Sequence, residues 1–445
     1  MTALRRGLAA VAACALVALC AAPAHAALDV DDGLWYYTGV GIEKQHARAT
    51  GKGIHVAVID GTINPEVPEL QGTNLHVHEP SFCGDDLNNP LRATDQAKAA
   101  THGTAMTSFI IGTGKGINGE RGLLGLAPDA DVTFYSSLTL RDSGNEGCSP
   151  TKTSSLESTF GDAIDQAVMD GADIISISMG ARRTWDADAV ARALHAGAIV
   201  VAARPHGAEH LEAQFPAALQ GVVSVESAGP DGAPSKDAHA ATVIAPGEQV
   251  RMFTDDFTGY RLANGSSFAT AFTSGALALV WSAYPDATGN QILQTLIRNT
   301  DAEDHELTAL DPAFGYGFVN VRHMLEHDPS DYPDTNPLLD KRPDWGPSPD
   351  EIAHPTPLPT PTPTITPTPA PTPTPTTTTD PADTGTHTDT RGADSDTNGS
   401  TSPLPVLLAT AGALLLLALI ATAFLVARRG RARNPAPATT DDDDE

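Results

Sequence analysis

Three polar residues lie at the boundaries of predicted secondary-structure elements, and together their types could perform nucleophilic catalysis. Asp60 follows an apolar run and precedes a glycine, His102 opens a helix of small residues, and Ser267 opens a long apolar helix. A serine hydroxyl needs a neighbouring base, and an imidazole base needs a carboxylate to orient it. Taken singly, Asp60 could cap a turn, His102 could be an ordinary surface histidine and Ser267 could be a helix N-cap. Taken together, the three predict an acyl-transfer site.

The elements that carry these residues are predicted by short apolar runs that alternate with helical patterns. Strands are predicted at residues 54–59, 132–135, 174–177, 198–202 and 222–225, and helices at 105–111, 155–170, 188–195 and 268–284. This alternation indicates an α/β fold, with a parallel sheet covered on both faces. Active sites of such sheets collect at the carboxyl ends of the strands, where Asp60 is expected.

The chain order Asp, His, Ser is the subtilisin order, and several motifs extend the resemblance. Residues 102–104 read His-Gly-Thr, 126–128 read Leu-Ala-Pro, and 245–247 read Ala-Pro-Gly. From residue 51 to residue 325 the sequence resembles the subtilisin-like serine peptidases of the S8 family. The resemblance implies a subtilisin-like three-layer fold with a mainly parallel central sheet.

The same resemblance implies a role for each residue of the site. Ser267 would attack the peptide carbonyl, His102 would carry the proton to the leaving amine, and Asp60 would hold the imidazole in one tautomer. The substrate backbone would pair with residues that follow the strand at 174–177, namely Ser178, Met179 and Gly180. No cofactor is required. Structural calcium occurs in many members of the family, but no residues are assigned to it here.

One departure from the family pattern concerns the oxyanion site. The family carries an Asn whose side chain donates to the developing oxyanion, and that position is Pro205 here, between Arg204 and His206. Loss of such a donor lowers kcat by about 10²–10³ in subtilisin. Two interpretations stay open. Either His206 or Arg204 replaces the donor in an active or slowed peptidase, or the domain is a catalytically impaired scaffold that stabilises a membrane secretion complex. Arg204 also hints at a preference for polar or acidic substrate side chains.

The N-terminus is typical of an exported protein. Arg5 and Arg6 precede an apolar run, and Ala24-His25-Ala26 provides small residues at a cleavage site, so residues 1–26 are predicted to be a signal peptide. Residues 27–50 then form an N-terminal extension and 51–327 the peptidase domain. Outside the leader, Cys83 and Cys148 are the two cysteines, and a disulfide between them is expected; two buried thiols are the alternative.

The C-terminal part predicts a stalk and an anchor. Residues 328–403 are a linker rich in Pro and Thr, which favours extended polyproline II structure. Residues 404–427 carry no charge and would form a helix about 36 Å long, enough to span a membrane. Arginines begin the tail at 428–445 and place it in the cytoplasm. The expected location is therefore the cell membrane, with one span and an extracytoplasmic peptidase domain.

The layout of leader, peptidase, linker and membrane helix resembles the mycosins, the membrane-anchored subtilases of actinobacterial type VII secretion. This resemblance implies protein or peptide substrates and a type VII secretion membrane complex as partner. The formal charge of −28 argues against nucleic acid as a partner. An adhesin or wall-spanning display protein is a further interpretation, which the stalk supports and the three catalytic candidates do not.

Overall fold

A computed structural model describes residues 32–85, 87–137, 149–150, 159–180, 187–204, 215–235, 241–301, 307, 310–339 and 346–358. All of them lie in the first of the two units into which the chain divides, Met1–Ile365.

Seven strands form one parallel sheet: β1 (His55–Asp60), β2 (Leu75–Val77), β6 (Asp131–Ser136), β8 (Ile174–Ile177), β9 (Ile199–Ala203), β10 (Val223–Ala228) and β11 (Val243–Pro246). Their order across the sheet is β11-β10-β9-β8-β1-β6-β2. Three two-stranded pairs add β3 (Cys83–Gly84) with β7 (Ser149–Pro150), β4 (Thr113–Lys115) with β5 (Arg121–Leu124), and β12 (Val250–Phe253) with β13 (Tyr260–Ala263). The prediction of an α/β fold with a parallel sheet is confirmed.

The helices cover both faces of the sheet. Those in the described residues are α1 (Trp35–Thr38), α2 (Ile42–Gln45), α3 (Thr101–Ile111), α4 (Thr159–Met169), α5 (Ala187–His195), α6 (Ser266–Ala283), α7 (Gly289–Arg298), α8 (Val321–Glu326) and α9 (Pro349–Ala353). Side chains alternate across β1: Val56 and Val58 join a core with α3 and α6, whereas Ala57 and Ile59 join a second core with α4 and α5. Apolar residues on both faces explain why the strand reads as one continuous apolar run.

Helix α6 is the central helix of the larger core. Nearly all of its residues are buried, and it packs against α3 and against strands β8 to β11. A helix that is apolar all round belongs inside a protein. The helix therefore fixes the position of its first turn, which contains Ser267.

The N-terminal extension is part of the core. Trp35 and Tyr36 are fully buried, and the ring of Tyr36 stacks on Phe109 of α3 with 4.1 Å between ring centroids. The Tyr36 hydroxyl donates to the carbonyl of Leu124, and the indole N–H of Trp35 donates to the carbonyl of Glu248. Residues 32–50 thus act as a structural element of the domain.

Ordered structure continues past residue 327, where the sequence predicted the linker to begin. Leu338 is buried in the larger core, and α9 lies against α5. Arg192 of α5 donates to the Thr356 hydroxyl at 2.7 Å and forms a buried ion pair with Asp165. These contacts explain why residues 328–339 and 346–358 are ordered despite their many prolines.

The predicted signal peptide, most of the Pro/Thr-rich linker, the predicted membrane helix at 404–427 and the tail at 428–445 lie outside the described residues. Within the part of the chain that the structure describes, no helix combines the length and the apolar character needed to cross a membrane.

Candidate active site

Asp60 and His102 meet at the carboxyl edge of the sheet. Asp60 is the last residue of β1 and its side chain is 1% exposed, whereas the His102 side chain, in the first turn of α3, is 32% exposed. His102 Nδ1 lies 2.8 Å from Asp60 Oδ1 and 3.0 Å from Oδ2. The carboxylate therefore accepts a hydrogen bond from Nδ1–H, and this tautomer leaves Nε2 as the basic nitrogen of the neutral ring.

Gly103 allows α3 to approach the end of β1 this closely. A Cβ atom at this position would stand 2.6 Å from the carbonyl oxygen of Thr62 and 2.9 Å from the Phe134 ring. On the same turn, the Thr104 hydroxyl accepts the backbone N–H of Asn64 at 2.9 Å. The His-Gly-Thr motif thus ties the helix start to the loop that follows Asp60.

The environment of His102 changes its acid–base behaviour. Burial disfavours the imidazolium, but the charge of Asp60 and its hydrogen bond favour it, and the net result raises the pKa of His102 above its usual value. The imidazole is consequently a stronger base than a free histidine, and it becomes neutral only at higher pH.

Ser267 is the second residue of α6 and is partly exposed. Its hydroxyl donates to the main-chain carbonyl of Ser178 at 2.8 Å, and the Ser178 hydroxyl donates to the main-chain carbonyl of Ser267 at 3.1 Å. The nucleophile candidate is thus linked to the segment Ser178–Met179–Gly180 that follows β8. The hydroxyl of Ser267 thus donates to Ser178 and not to His102.

The segment before Ser267 is held by the Ala-Pro-Gly motif at residues 245–247. Gly265 donates its backbone N–H to the carbonyl of Gly247 at 2.8 Å. A Cβ atom on Gly247 would stand 2.6 Å from Ser227 Cβ and 2.7 Å from the Gly265 carbonyl oxygen. A glycine is therefore needed where the two segments cross.

His102 and Ser267 line one cavity of about 660 Å³. The other lining residues belong to the hairpin of β12 and β13, to the residue before it, and to the segment that leads into the first turn of α6: Gln249, Met252, Arg261, Leu262, Ala263, Asn264, Gly265 and Phe268. The structure thus brings Asp60, His102 and Ser267 to one edge of the sheet, with an open space beside the two that would meet the substrate.

The oxyanion region is described only in part. Pro205 and His206 lie outside the described residues, so their predicted roles stay predictions. Arg204 is 4% exposed, its carbonyl accepts the Ser266 hydroxyl at 2.6 Å, and it lines a separate cavity of about 300 Å³. Arg204 does not line the cavity of His102 and Ser267, and its predicted effect on substrate preference stays a prediction.

Cys83 is buried and disulfide-bonded. Its strand pairs with Ser149–Pro150, which directly follows Cys148 in the chain. Cys148 lies outside the described residues, so the pairing of Cys83 with Cys148 stays a prediction.

No metal site can be assigned in the described part of the chain, where no three His, Cys, Asp or Glu residues gather closely enough to hold an ion. The calcium that the family resemblance allows therefore stays without assigned residues.

The sequence interpretation missed one wall of the cavity, the hairpin of β12 and β13. Each of its strands has four residues, and residues 254–259 connect them. The run 250–253 alternates apolar and polar residues only once, which is too short a pattern to predict a strand. Met252 and Arg261 were consequently not among the predicted site residues.

Comparison with protein families gives a match to the model described as "Subtilase family" over residues 51–317. Among curated proteins, the thermostable alkaline protease of Halalkalibacterium halodurans is 30% identical over 273 residues, which are 59% of this chain and 66% of that protein. The subtilisin of Bacillus pumilus is 27% identical over 284 residues, which are 61% of this chain and 91% of that protein. The match thus spans just under two thirds of the alkaline protease.

Solved structures with a similar backbone include MycP1 from Mycobacterium smegmatis, with a TM-score of 0.51 and 22% identity over 72% of this chain and 90% of that chain. Fervidolysin from Fervidobacterium pennivorans, described as a keratinolytic enzyme related to subtilisin, has a TM-score of 0.52 and 21% identity over 68% of this chain and 47% of that chain. A further MycP1 structure is described as belonging to the ESX-1 type VII secretion system, with a TM-score of 0.51 and 23% identity over 68% of this chain and 88% of that chain. At these identities the likeness establishes a shared fold.

Proposed function

Because the chain belongs to the subtilase family, we propose that it is a serine endopeptidase that uses Asp60, His102 and Ser267 as a catalytic triad. Ser267 Oγ attacks the carbonyl carbon of the scissile peptide while His102 Nε2 takes the hydroxyl proton. The imidazolium then gives that proton to the leaving amine. Water next attacks the acyl-enzyme while His102 takes a proton from it, and His102 returns this proton to Ser267 Oγ as the acid product leaves. Asp60 stays ionised and stabilises the imidazolium.

The observation that carries this proposal is the pair of contacts between His102 Nδ1 and the Asp60 carboxylate, 2.8 and 3.0 Å long, beside a cavity that Ser267 also lines. A buried carboxylate that accepts from Nδ1 fixes the tautomer a general base needs. Burial of Asp60 behind the imidazole also keeps the charge where the imidazolium develops.

A fluorophosphonate probe tests the proposal, because it reacts preferentially with an activated serine. We expect the full chain to be labelled, and we expect Ser267→Ala to abolish the labelling. Ser330→Ala removes an exposed hydroxyl that does not line the cavity, and it serves as the control that should label normally. Absence of labelling in the intact protein would contradict an activated Ser267.

We further propose that the peptidase acts outside the cytoplasm, tethered to the cell membrane by residues 404–427 and associated with type VII secretion. The support is the uncharged segment at 404–427, the predicted leader at 1–26, and the fold shared with MycP1. Protease protection in intact cells tests the topology: an epitope in the peptidase domain should be digested from outside, and an epitope after residue 433 should be protected.

A second candidate function, a scaffold with impaired catalysis, is favoured by two observations. The Ser267 hydroxyl donates to Ser178 and not to His102, and proline occupies the position of the oxyanion Asn. A scaffold predicts that Ser267→Ala leaves secretion unchanged, whereas deletion of the domain abolishes it.

For the peptidase, Pro205→Asn should raise kcat by restoring a side-chain donor. An unchanged kcat would mean that another group already fills that role.

A further inference from the structure

The hairpin of β12 and β13 presents one cation to the cavity. Met252 and Arg261 are paired across the two strands, and both line the cavity that contains His102 and Ser267. The Arg261 side chain is 46% exposed. Among the described residues that line this cavity there is no Asp or Glu.

Most of the N–H donors of the Arg261 guanidinium form no hydrogen bond with the described residues. Its described contacts are a weak hydrogen bond from Nη2 to the Met252 sulfur at 3.4 Å and an approach to Asp255 at 3.9 Å. Asp255 has a closer partner in Lys98, at 2.7 Å. Since a guanidinium carries five N–H donors in a planar fork, Arg261 can still bind a carboxylate through two of them.

Contacts of Tyr260 and Arg251 fix the hairpin against the rest of the domain, so the backbone at Arg261 has a defined position. The Tyr260 hydroxyl donates to the buried carboxyl group of Glu69, and the Arg251 guanidinium lies 4.1 Å from the centroid of the Tyr260 ring. Arg251 in turn donates to the carbonyl of Asp32 at 2.9 Å and to the Glu120 carboxylate at 3.1 Å, and it does not line the cavity. Because the backbone of the hairpin is already fixed, it loses little conformational entropy when Arg261 binds a ligand.

The position of Arg261 relative to Ser267 indicates which half of a substrate it would contact. The segment Ser178–Met179–Gly180 contacts Ser267 from the end of β8, and it does not line the cavity. The cavity is lined by His102 as well as by Ser267, and His102 delivers the proton to the leaving amine in the proposed mechanism. A substrate residue in the cavity therefore belongs to the part that departs with the amine.

We propose that Arg261 is a specificity-determining residue that selects a carboxylate on the leaving-group side of the scissile bond. The proposal rests on the proposed peptidase function of the same site. The carboxylate is either an Asp or Glu side chain or the free C-terminus of a short substrate, because the guanidinium binds both in the same way. Since Arg261 is half exposed, the preference is expected to be about 1.5-fold to fivefold.

Peptide libraries test the proposal with the purified full-length protein. Each library fixes Glu, Gln or Lys at one of the positions after the cleaved bond, with amidated C-termini, and one further set carries free C-termini. We expect wild-type kcat/KM to be higher for Glu than for Gln at one position. We expect Arg261→Gln to abolish that difference and Arg261→Glu to favour Lys. Arg322→Gln is the matched control, because Arg322 is an exposed arginine paired with Glu326 on α8, and it should keep the wild-type preference.

Binding to Ser267→Ala separates this proposal from the proposed catalysis. Fluorescence anisotropy of the same labelled peptides should show the Glu preference in Ser267→Ala and its loss in Ser267→Ala/Arg261→Gln, whether or not the wild type hydrolyses any peptide. A preference confined to free C-termini would identify the terminal carboxylate as the ligand. Equal binding of Glu, Gln, Lys and free-carboxylate peptides, or a preference that persists without Arg261, would overturn the proposal.

Discussion

Ser267 and Ser178 exchange two hydrogen bonds: the Ser267 hydroxyl donates to the Ser178 carbonyl at 2.8 Å, and the Ser178 hydroxyl donates to the Ser267 carbonyl at 3.1 Å. The first turn of α6 is thereby fixed to the end of β8. In the proposed mechanism the first of these bonds must break when the Ser267 proton moves to His102, whereas the second can persist throughout.

Ser178→Ala removes the persistent bond and leaves the acceptor of the other bond in place. Because the Ser178 side chain is buried, we expect the free energy of unfolding to fall by about 1 kcal/mol, measured by urea denaturation. Ser330→Ala, at an exposed position where the hydroxyl bonds to the exposed Asp328, should lower the unfolding free energy far less. Equal stability of the two variants would mean that the Ser178 hydroxyl does not hold the helix start.

Asp60→Asn tests the electrostatic part of the site. The charge of Asp60 raises the pKa of His102, and only the neutral imidazole can accept the Ser267 proton. Removal of that charge should therefore move the acid limb of the kcat/KM profile to lower pH, while the maximal rate falls by about 10⁴. The measurement is the pH dependence of peptide hydrolysis or of fluorophosphonate labelling. A limb that stays in place, or moves to higher pH, would mean that Asp60 does not set the titration of His102.

Gly103→Ala tests the close approach of α3 to the end of β1. The added methyl group would meet the Thr62 carbonyl oxygen at 2.6 Å, so the helix start and His102 must shift. We expect a loss of stability of about 1–3 kcal/mol and a lower kcat. Gly259→Ala is the matched control, because its methyl group would meet no atom within 4 Å. If both alanines behave alike in thermal unfolding and in kcat, the tight contact at Gly103 has no role.

Much of the sheet and of the site could be predicted because the relevant signals are local. Residues 174–177 were predicted as a strand from their apolar run, and β8 has the same limits. His102 was predicted at a helix start, where α3 begins. The edge strand β2 and the hairpin of β12 and β13 were missed because they are short and partly exposed, so their periodicity is weak.

Contacts between distant segments could not be predicted from local pattern. The bond between Ser267 and Ser178 and the stacking of Tyr36 on Phe109 depend on how the whole domain closes. From the sequence, residues 27–50 are predicted only to be an extension. A short segment with several aromatic residues does not by itself show which part of the domain it packs against.

Trp35→Ala tests whether this extension is part of the folded domain. Trp35 is fully buried and its indole N–H donates to the Glu248 carbonyl at 3.0 Å. We expect a loss of about 3–5 kcal/mol in the free energy of unfolding, because the substitution leaves a cavity. Glu43→Ala, on the exposed side of α2, should unfold like the wild type. A stability of Trp35→Ala within the error of the wild type would mean that the extension is dispensable for folding.

Mass-spectrometric mapping of the fluorophosphonate adduct, combined with its rate of formation, tests most directly whether Asp60, His102 and Ser267 act as one unit. The account predicts an adduct on Ser267 whose rate of formation rises with pH as His102 loses its proton, and which His102→Ala slows by several orders of magnitude. An adduct on another residue, or an adduct on Ser267 that forms equally fast without the imidazole, would contradict it.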